Sequence, residues 1–375
     1  MSAVGAQVFA RSWTRLDGVD ILRGLAILFV LMNHVNMRLL IAHVPYTAGL
    51  SRQLVASLVW NGQFGVQMFF AVSGFLITST TLRRWGTLGD VNVRDFYKLR
   101  FARIAPLLLL LLLVLSGLHF AGVEDYVVQA KTGGLGRALL AALTFHVNVL
   151  EARRGYLPGS WDILWSLSVE EMFYLFFPLV CKFLGRGKLL LLVLLGFVAM
   201  GPVARTVLVH GNDIWLEKSY LGGMDAIALG CLTALLISRV RFSPRRLRIL
   251  CLLGVLLLIY MLCFSVQTYN WGAHTGLDMT VLAIGTCLAI IAASQTQWKA
   301  PLVLSPLLRL GCNSYEVYLT HMFVVFSFFG LFLRAGKPLH AVPSLFVAAI
   351  LVAALLGELV ARFYSEPLNR LLRNR

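Results

Sequence analysis

The sequence predicts an all-α polytopic membrane protein of about ten transmembrane helices, and three observations predict it. Of its 375 residues 59% are hydrophobic and only 13% charged, whereas water-soluble domains run at roughly 45–50% apolar and about 25% charged. Apolar stretches recur along the whole chain with only short polar breaks, and many reach the roughly 20 residues that a helix needs to cross a bilayer core about 30 Å thick. The basic residues then sort to one side of those stretches, as expected when cytoplasmic loops are enriched in Lys and Arg. The excess of 33 Lys+Arg over 17 Asp+Glu, a formal +16, therefore reports topology. No compact basic domain or interleaved basic and aromatic module points to nucleic acid.

Eleven stretches are candidate spans, near 21–42, 58–82, 103–120, 138–150, 162–181, 189–209, 219–238, 249–266, 277–294, 310–333 and 342–364. The fourth contains His146 and Asn148, and at about thirteen residues it suits a re-entrant or interfacial segment better than a crossing. Charge settles the parity. With 138–150 not crossing and both termini cytoplasmic, the inner side collects 22 basic residues, from Arg11, Arg15 and Arg23 to Arg370, Arg373 and Arg375. The outer side receives ten, and Arg362 lies in the last span. A crossing at 138–150 would instead put the loop of Arg239, Arg241, Arg245, Arg246 and Arg248 outside, against the positive-inside rule. Ten spans are expected, in a cell membrane, as one domain over 1–375 with its core at 17–370.

The first twenty residues lack the continuous apolar stretch of a cleaved signal peptide, so the N-terminus is expected to be retained. The segment from about 121 to 161 either folds over the outer mouth of a cavity or simply connects two spans. Six cysteines fall within or at the ends of apolar runs without CxxC or His/Cys ligand spacing, which supports neither a metal site nor a disulfide framework.

Ionisable residues inside spans are costly and are functional candidates by default. The first span holds Asp20, Arg23 and His34. Asp20 and Arg23 are one turn apart and form either an interfacial ion pair or part of a site. The eleven residues from Arg23 to His34 rise about 16 Å and come within about 20° of three full turns, so the two share a face at different depths. Imidazole titrates near neutral pH and can accept and return a proton. The second span places Ser73 and Gly74 in an aromatic-rich run, where Gly74 suits close helix packing and Ser73 could line a cavity. Arg100 and Arg103 stand three apart before Pro106 and serve either topology or an anion, since paired arginines can grip phosphate.

Glu170 and Glu171 begin an apolar run near Ser166 and Ser168. Glu170 is read as facing a cavity and Glu171 as an interfacial charge. Later spans add Asp225 and Asp278, each an interfacial or helix-capping candidate, and Ser314, Tyr315, Tyr318 and His321. Glu170, His34 and His321 are all expected near middle depth, where they can meet.

Asp20-x-x-Arg23 with ten residues before His34, then FFAVSGF, RFARIAP, WSLSVEEMFY, SYEVYLTH and SEPLNR, together resemble the membrane-bound acyltransferase 3 family, with six motifs in order from about 17 to 370. The resemblance implies an acyltransferase with no bound cofactor, using cytoplasmic acyl-CoA, acetyl-CoA foremost, as co-substrate. The implied acceptor is a hydroxyl of a carbohydrate or lipid-linked saccharide, as in O-acetylases of lipopolysaccharide, nodulation factors and exopolysaccharides. It carries a catalytic role to His34, essential roles to Asp20 and Arg23, donor binding to Arg100 and Arg103, and importance to Ser73, Gly74 and Glu170. Tyr315 and His321 are placed with the substrate-binding residues, and Glu366 also matches a motif position. The chain is expected to carry no appended soluble esterase-like domain. Thioester transfer to a hydroxyl needs a base, donors for the developing oxyanion and cations for the CoA phosphates, and these residues can supply them. A proton-coupled transporter, with the buried His and carboxylates as a proton relay, is the competing expectation.

Overall fold

The computed structural model describes residues 15–209, 211–296 and 298–374. Arg11, Arg375 and residues 1–14 of the segment read for a signal peptide lie outside the described residues. Among the described residues the chain is helical with no strand, and ten helices are long and apolar enough to cross a membrane. They are the ten expected stretches without 138–150.

The first span is α1, Asp17–Ile41. A short α2, Arg52–Val59, leads into α3, Gly62–Trp85. The third span, α4, covers Val93–Phe120 and begins ten residues before its apolar run. The Asn92 side chain accepts the Asp95 amide at 3.2 Å and caps the early start, so Arg100, which precedes the expected span, and Arg103, at its first position, both lie well inside the helix. Pro106 sits inside α4 without ending it. Its carbonyl accepts the Tyr364 hydroxyl at 3.1 Å, and the nearby Ile104 carbonyl accepts that of Tyr315 at 2.9 Å.

The 138–150 stretch breaks into α5, Gly134–Leu143, and α6, Val147–Arg154, at a turn where Phe145 adopts φ +56°. Neither half reaches crossing length. A helical turn at Gly159–Asp162 precedes α7, Leu164–Leu184. Then come α8, Leu189–Thr206, the short α9, Asp213–Lys218, and α10, Tyr220–Arg239. After these follow α11, Pro244–Cys263, α12, Ser265–Thr275, and α13, Asp278–Thr296. The short α14, Ser305–Cys312, adjoins α15, Ser314–Arg334. The last span, α16, Val342–Val360, runs through a π-helical turn at 361–365 into α17, Glu366–Asn374. The helix thus continues a full ten residues past the expected limit of 364.

Helices α3 and α10 cross closely enough that a Cβ on Gly74 would overlap the Ile227 carbonyl, and one on Gly230 would overlap the Ala71 carbonyl. Lipid tails are as apolar as Leu, so small residues that let backbones approach are what holds such a pair. The segment 121–158 folds down onto the bundle. Asp125 pairs with Arg38 at 2.7 Å, Tyr126 stacks on Phe323 at 5.7 Å between centroids, and the Trp161 indole donates to the Tyr126 carbonyl at 3.3 Å. Asp225 corrects the interfacial expectation. It is fully buried and accepts Gln67 at 2.9 Å, Arg205 at 2.8 Å and Thr280 at 2.6 Å, tying α3, α8, α10 and α13 together. Asp278 is the first residue of α13, one of the two places expected for it.

Candidate active site

A cavity of about 560 Å³ enters the bundle from the end that carries the basic loops. Its mouth is formed by Arg83 and Arg84 at the end of α3, Arg103 on α4, and Asn369 and Arg373 on α17. Deeper, it passes Ser73, Arg100, Glu170 and Tyr174, and its walls include Ser166, Tyr315 and Tyr318. Arg23 lines both this cavity and a smaller one of about 210 Å³ beside it.

Around Ser73 the structure assembles five polar side chains from three helices. Arg100 donates from Nη2 to Glu171 at 2.7 Å and to Glu170 at 3.1 Å, while its Nε reaches Glu171 at 3.1 Å. Its guanidinium lies over the Tyr174 ring at 3.7 Å, a cation–π contact strengthened by desolvation. Ser73 Oγ donates to Glu170 Oε1 and lies against the Tyr174 hydroxyl, which itself donates to Glu170 at 3.0 Å. Two expectations change here. Glu171 is buried against Arg100 and not an interfacial charge; the roughly 100° between adjacent helical side chains still lets both carboxylates reach one planar fork. Arg100, expected at the donor phosphates, already has its fork occupied by carboxylates.

At the basic end of α1, Arg23 donates to Asp20 at 3.1 Å and to Ser314 on α15 at 3.1 Å, and Arg15 reaches Asp20 at 2.7 Å. Asp20 is buried, so this pair joins α1 to α15 at the cavity wall and is more than a helix-end anchor. Farther along the same two helices His34 meets His321. The His321 Nε2 to His34 Nδ1 distance is 3.3 Å, with ring centroids 4.9 Å apart. His34 Nδ1 also lies 2.8 Å from the Val30 carbonyl, and His321 Nδ1 lies 2.6 Å from that of Tyr318. His34 is half-buried. His321, expected among the substrate-binding residues, is fully buried with both nitrogens engaged. Tyr315, expected with it, does line the cavity and lies 5.6 Å below the Arg103 guanidinium.

The expected meeting of Glu170 with both histidines becomes two stations. Glu170 joins Ser73, Tyr174 and Arg100, whereas the histidine pair stands behind Tyr318. The Tyr318 hydroxyl bonds Ser166 at 2.6 Å and donates to the Ile163 carbonyl at 2.9 Å, and its ring is 5.8 Å from His321. The separation runs along the helix: Glu170 meets Ser73 of α3 and Arg100 of α4, whereas Ser166, one turn earlier on α7, is the side chain that meets Tyr318 of α15.

Beyond the histidines lies a cluster that sequence reasoning missed. Lys218 donates to Glu151 at 2.8 Å and also to Asp162, and lies 4.5 Å over the Tyr156 ring. Burial, with Asp162 beside it, holds the Glu151 carboxyl well above the usual carboxylate range despite Lys218. These residues stand at the edges of the apolar stretches, and their separations of 67 and 56 positions leave no local signal. Arg83, Arg84 and Arg373 were likewise visible only as topology charges. Among the described residues no group of three or more His, Cys, Asp and Glu is arranged to hold a metal ion.

The family model of an acyltransferase domain, acyltransferase 3, matches residues 16–358. The chain is similar to the O-acetyltransferase OatA of Staphylococcus aureus, with 23% identity over 371 residues, 95% of this chain and 57% of that protein. It is also similar to the peptidoglycan O-acetyltransferase OatA of Listeria monocytogenes, with 24% identity over 378 residues, 95% of this chain and 56% of that protein. The chain thus spans a little over half the length of these relatives. No solved structure matches it. With ten helices of crossing length among the described residues and a match over nearly its whole length, the chain belongs to the acyltransferase 3 family of membrane acyltransferases.

Proposed function

We propose that the chain moves an acyl group, acetyl foremost, from cytoplasmic acyl-CoA to a hydroxyl of a carbohydrate acceptor, with His34 as general base. The observation that carries this reading is the cavity itself. It joins an arginine-rich mouth to a polar station inside an apolar bundle and ends at Tyr318, one side chain from the histidine pair. That shape suits a long donor with an anionic head and a reactive far end. Arg83, Arg84, Arg103 and Arg373 would face the CoA phosphates, for which guanidinium forks are the matched donors. Arg100, held by Glu170 and Glu171, orients Glu170 in this reading and takes no phosphate.

The chemistry then needs one base and one polar cradle. The acceptor oxygen bonds to the acyl carbon while its proton passes to His34. The carbon–sulfur bond breaks, CoA leaves as thiolate, and hydroxyl donors meet the charge developing on the carbonyl oxygen. Ser73 and Glu170 position the acceptor and the intermediate. The name of the Listeria relative favours a glycan of the cell envelope, and peptidoglycan stands beside lipopolysaccharide and exported polysaccharide as a candidate acceptor.

Membranes containing the protein, incubated with acetyl-CoA labelled in the acetyl group and with candidate glycans, should transfer label, and His34→Ala should abolish transfer without loss of membrane expression. Full activity in that variant would remove His34 as base. Solute flux with no transfer to any glycan would replace the enzyme by a transporter.

A further inference from the structure

Both histidines of the central pair point a nitrogen at a backbone carbonyl: His34 Nδ1 at Val30, 2.8 Å away, and His321 Nδ1 at Tyr318, 2.6 Å away. A carbonyl oxygen only accepts hydrogen bonds, so each Nδ1 must carry a hydrogen. A neutral imidazole carries one, and its other nitrogen is then a lone pair. His321 Nε2 is therefore an acceptor, and it faces the Nδ1–H of His34 at 3.3 Å. The Nδ1–H of His34 is shared between the Val30 carbonyl and His321, and the nitrogen left basic is Nε2.

We infer that His321 is a positioning residue that holds His34 with the hydrogen on Nδ1 and the lone pair on Nε2, making Nε2 the atom that takes the acceptor proton. Val30 lies four residues earlier on the same helix, so it cannot fix the ring relative to the rest of the bundle. His321 is the acceptor supplied by another helix, α15. Once Nε2 is protonated, the imidazolium keeps its Nδ1–H on the neutral lone pair of His321, which stabilises the new charge without a second proton transfer. This is the part that an orienting carboxylate plays in a Ser-His-Asp triad, where the wrong tautomer stops turnover. His321 cannot itself touch substrate, since it is fully buried and both its nitrogens are engaged. The inference rests on the reading of His34 as general base.

Two measurements test it separately. In full-length protein labelled with ¹⁵N-histidine in nanodiscs at about pH 8, where unperturbed imidazole is neutral, the His34 and His321 signals are assigned against His34→Gln and His321→Gln. Both are expected to show a protonated Nδ1 and an unprotonated Nε2, and a protonated Nε2 on His34 overturns the inference. In the transfer assay His321→Leu, which removes the acceptor, is expected to lower kcat roughly 100-fold with the donor KM within about twofold. His321→Gln puts an amide oxygen where Nε2 stood and is expected to stay within about tenfold of wild type. Wild-type kcat in His321→Leu overturns the inference, as does loss in His321→Gln equal to that in His321→Leu. Full transfer by His34→Ala removes the base reading and with it any catalytic role for the pair, whichever tautomer the spectra show.

Discussion

Arg100 and Arg103 sit one helical turn apart and face different tasks. Arg103 opens onto the cavity mouth, while Arg100 holds two carboxylates. Arg103→Ala, and separately Arg373→Ala, should raise the KM for acetyl-CoA about tenfold with little change in kcat, the worth of one charge-assisted hydrogen bond. Arg100→Ala should instead lower kcat, by roughly 100-fold, and reduce thermal stability, because the buried Glu171 and the partly buried Glu170 lose their counter-charge. Initial rates over a range of donor concentration separate the two patterns, and a pure KM effect at Arg100 would return it to the phosphates. Asp20, Arg23, His34 and Glu170 were legible in the sequence because charge inside an apolar run is rare and costly. Their partners were not. Tyr174, four residues on along the same helix, is a local neighbour of Glu170, but nothing near Glu170 says that Ser73 closes on it, or that His321 and not Glu170 would meet His34, since side-chain direction around a helix is set by neighbours far away in the chain.

Helix α3 depends on its closest neighbour. Gly74 lies against the Ile227 carbonyl of α10, so Gly74→Val forces the two apart and should cost about 1–3 kcal/mol or more, seen as a lower melting temperature in detergent. It should also impair transfer, because the adjacent Ser73 moves with the backbone. Helices α6 and α9 and the turn at 159–162 are joined by one ammonium, Lys218, buried between Glu151 and Asp162. Lys218→Met keeps the length and removes the charge. Breaking a buried pair from one side costs about 3–5 kcal/mol, and thermal unfolding should read a loss of that order; an unchanged melting temperature would show that the cluster is not a staple. Helix α17 contributes Asn369 and Arg373 to the cavity mouth, beyond the limit of 364 that the apolar run predicts. Helix α16 continues through the π-helical turn at 361–365 into Glu366–Asn374, past the end of its apolar run.

Ten crossings would place the start of α1 and the end of α17 on one face of the membrane, and from the excess of basic residues on that face we propose that it is the cytoplasmic one. In a background with the exposed Cys251 and Cys263 replaced by Ala, Gln129→Cys should react with a membrane-impermeant thiol reagent in intact cells and Arg245→Cys should not. Both positions are exposed in the structure, and the reverse labelling pattern would invert the topology. Span number, the failure of 138–150 to cross, and the presence of costly ionisable groups were all readable from the linear chain, because they depend on length, local composition and charge. Which of those groups share a station was settled by helix packing. The cavity, the fork of Arg100 between Glu170 and Glu171, the His34–His321 pair and the Lys218 cluster each need residues tens to hundreds of positions apart. Their contacts exist only once close helix approaches, such as α3 on α10, set the rotation of each helix about its own axis.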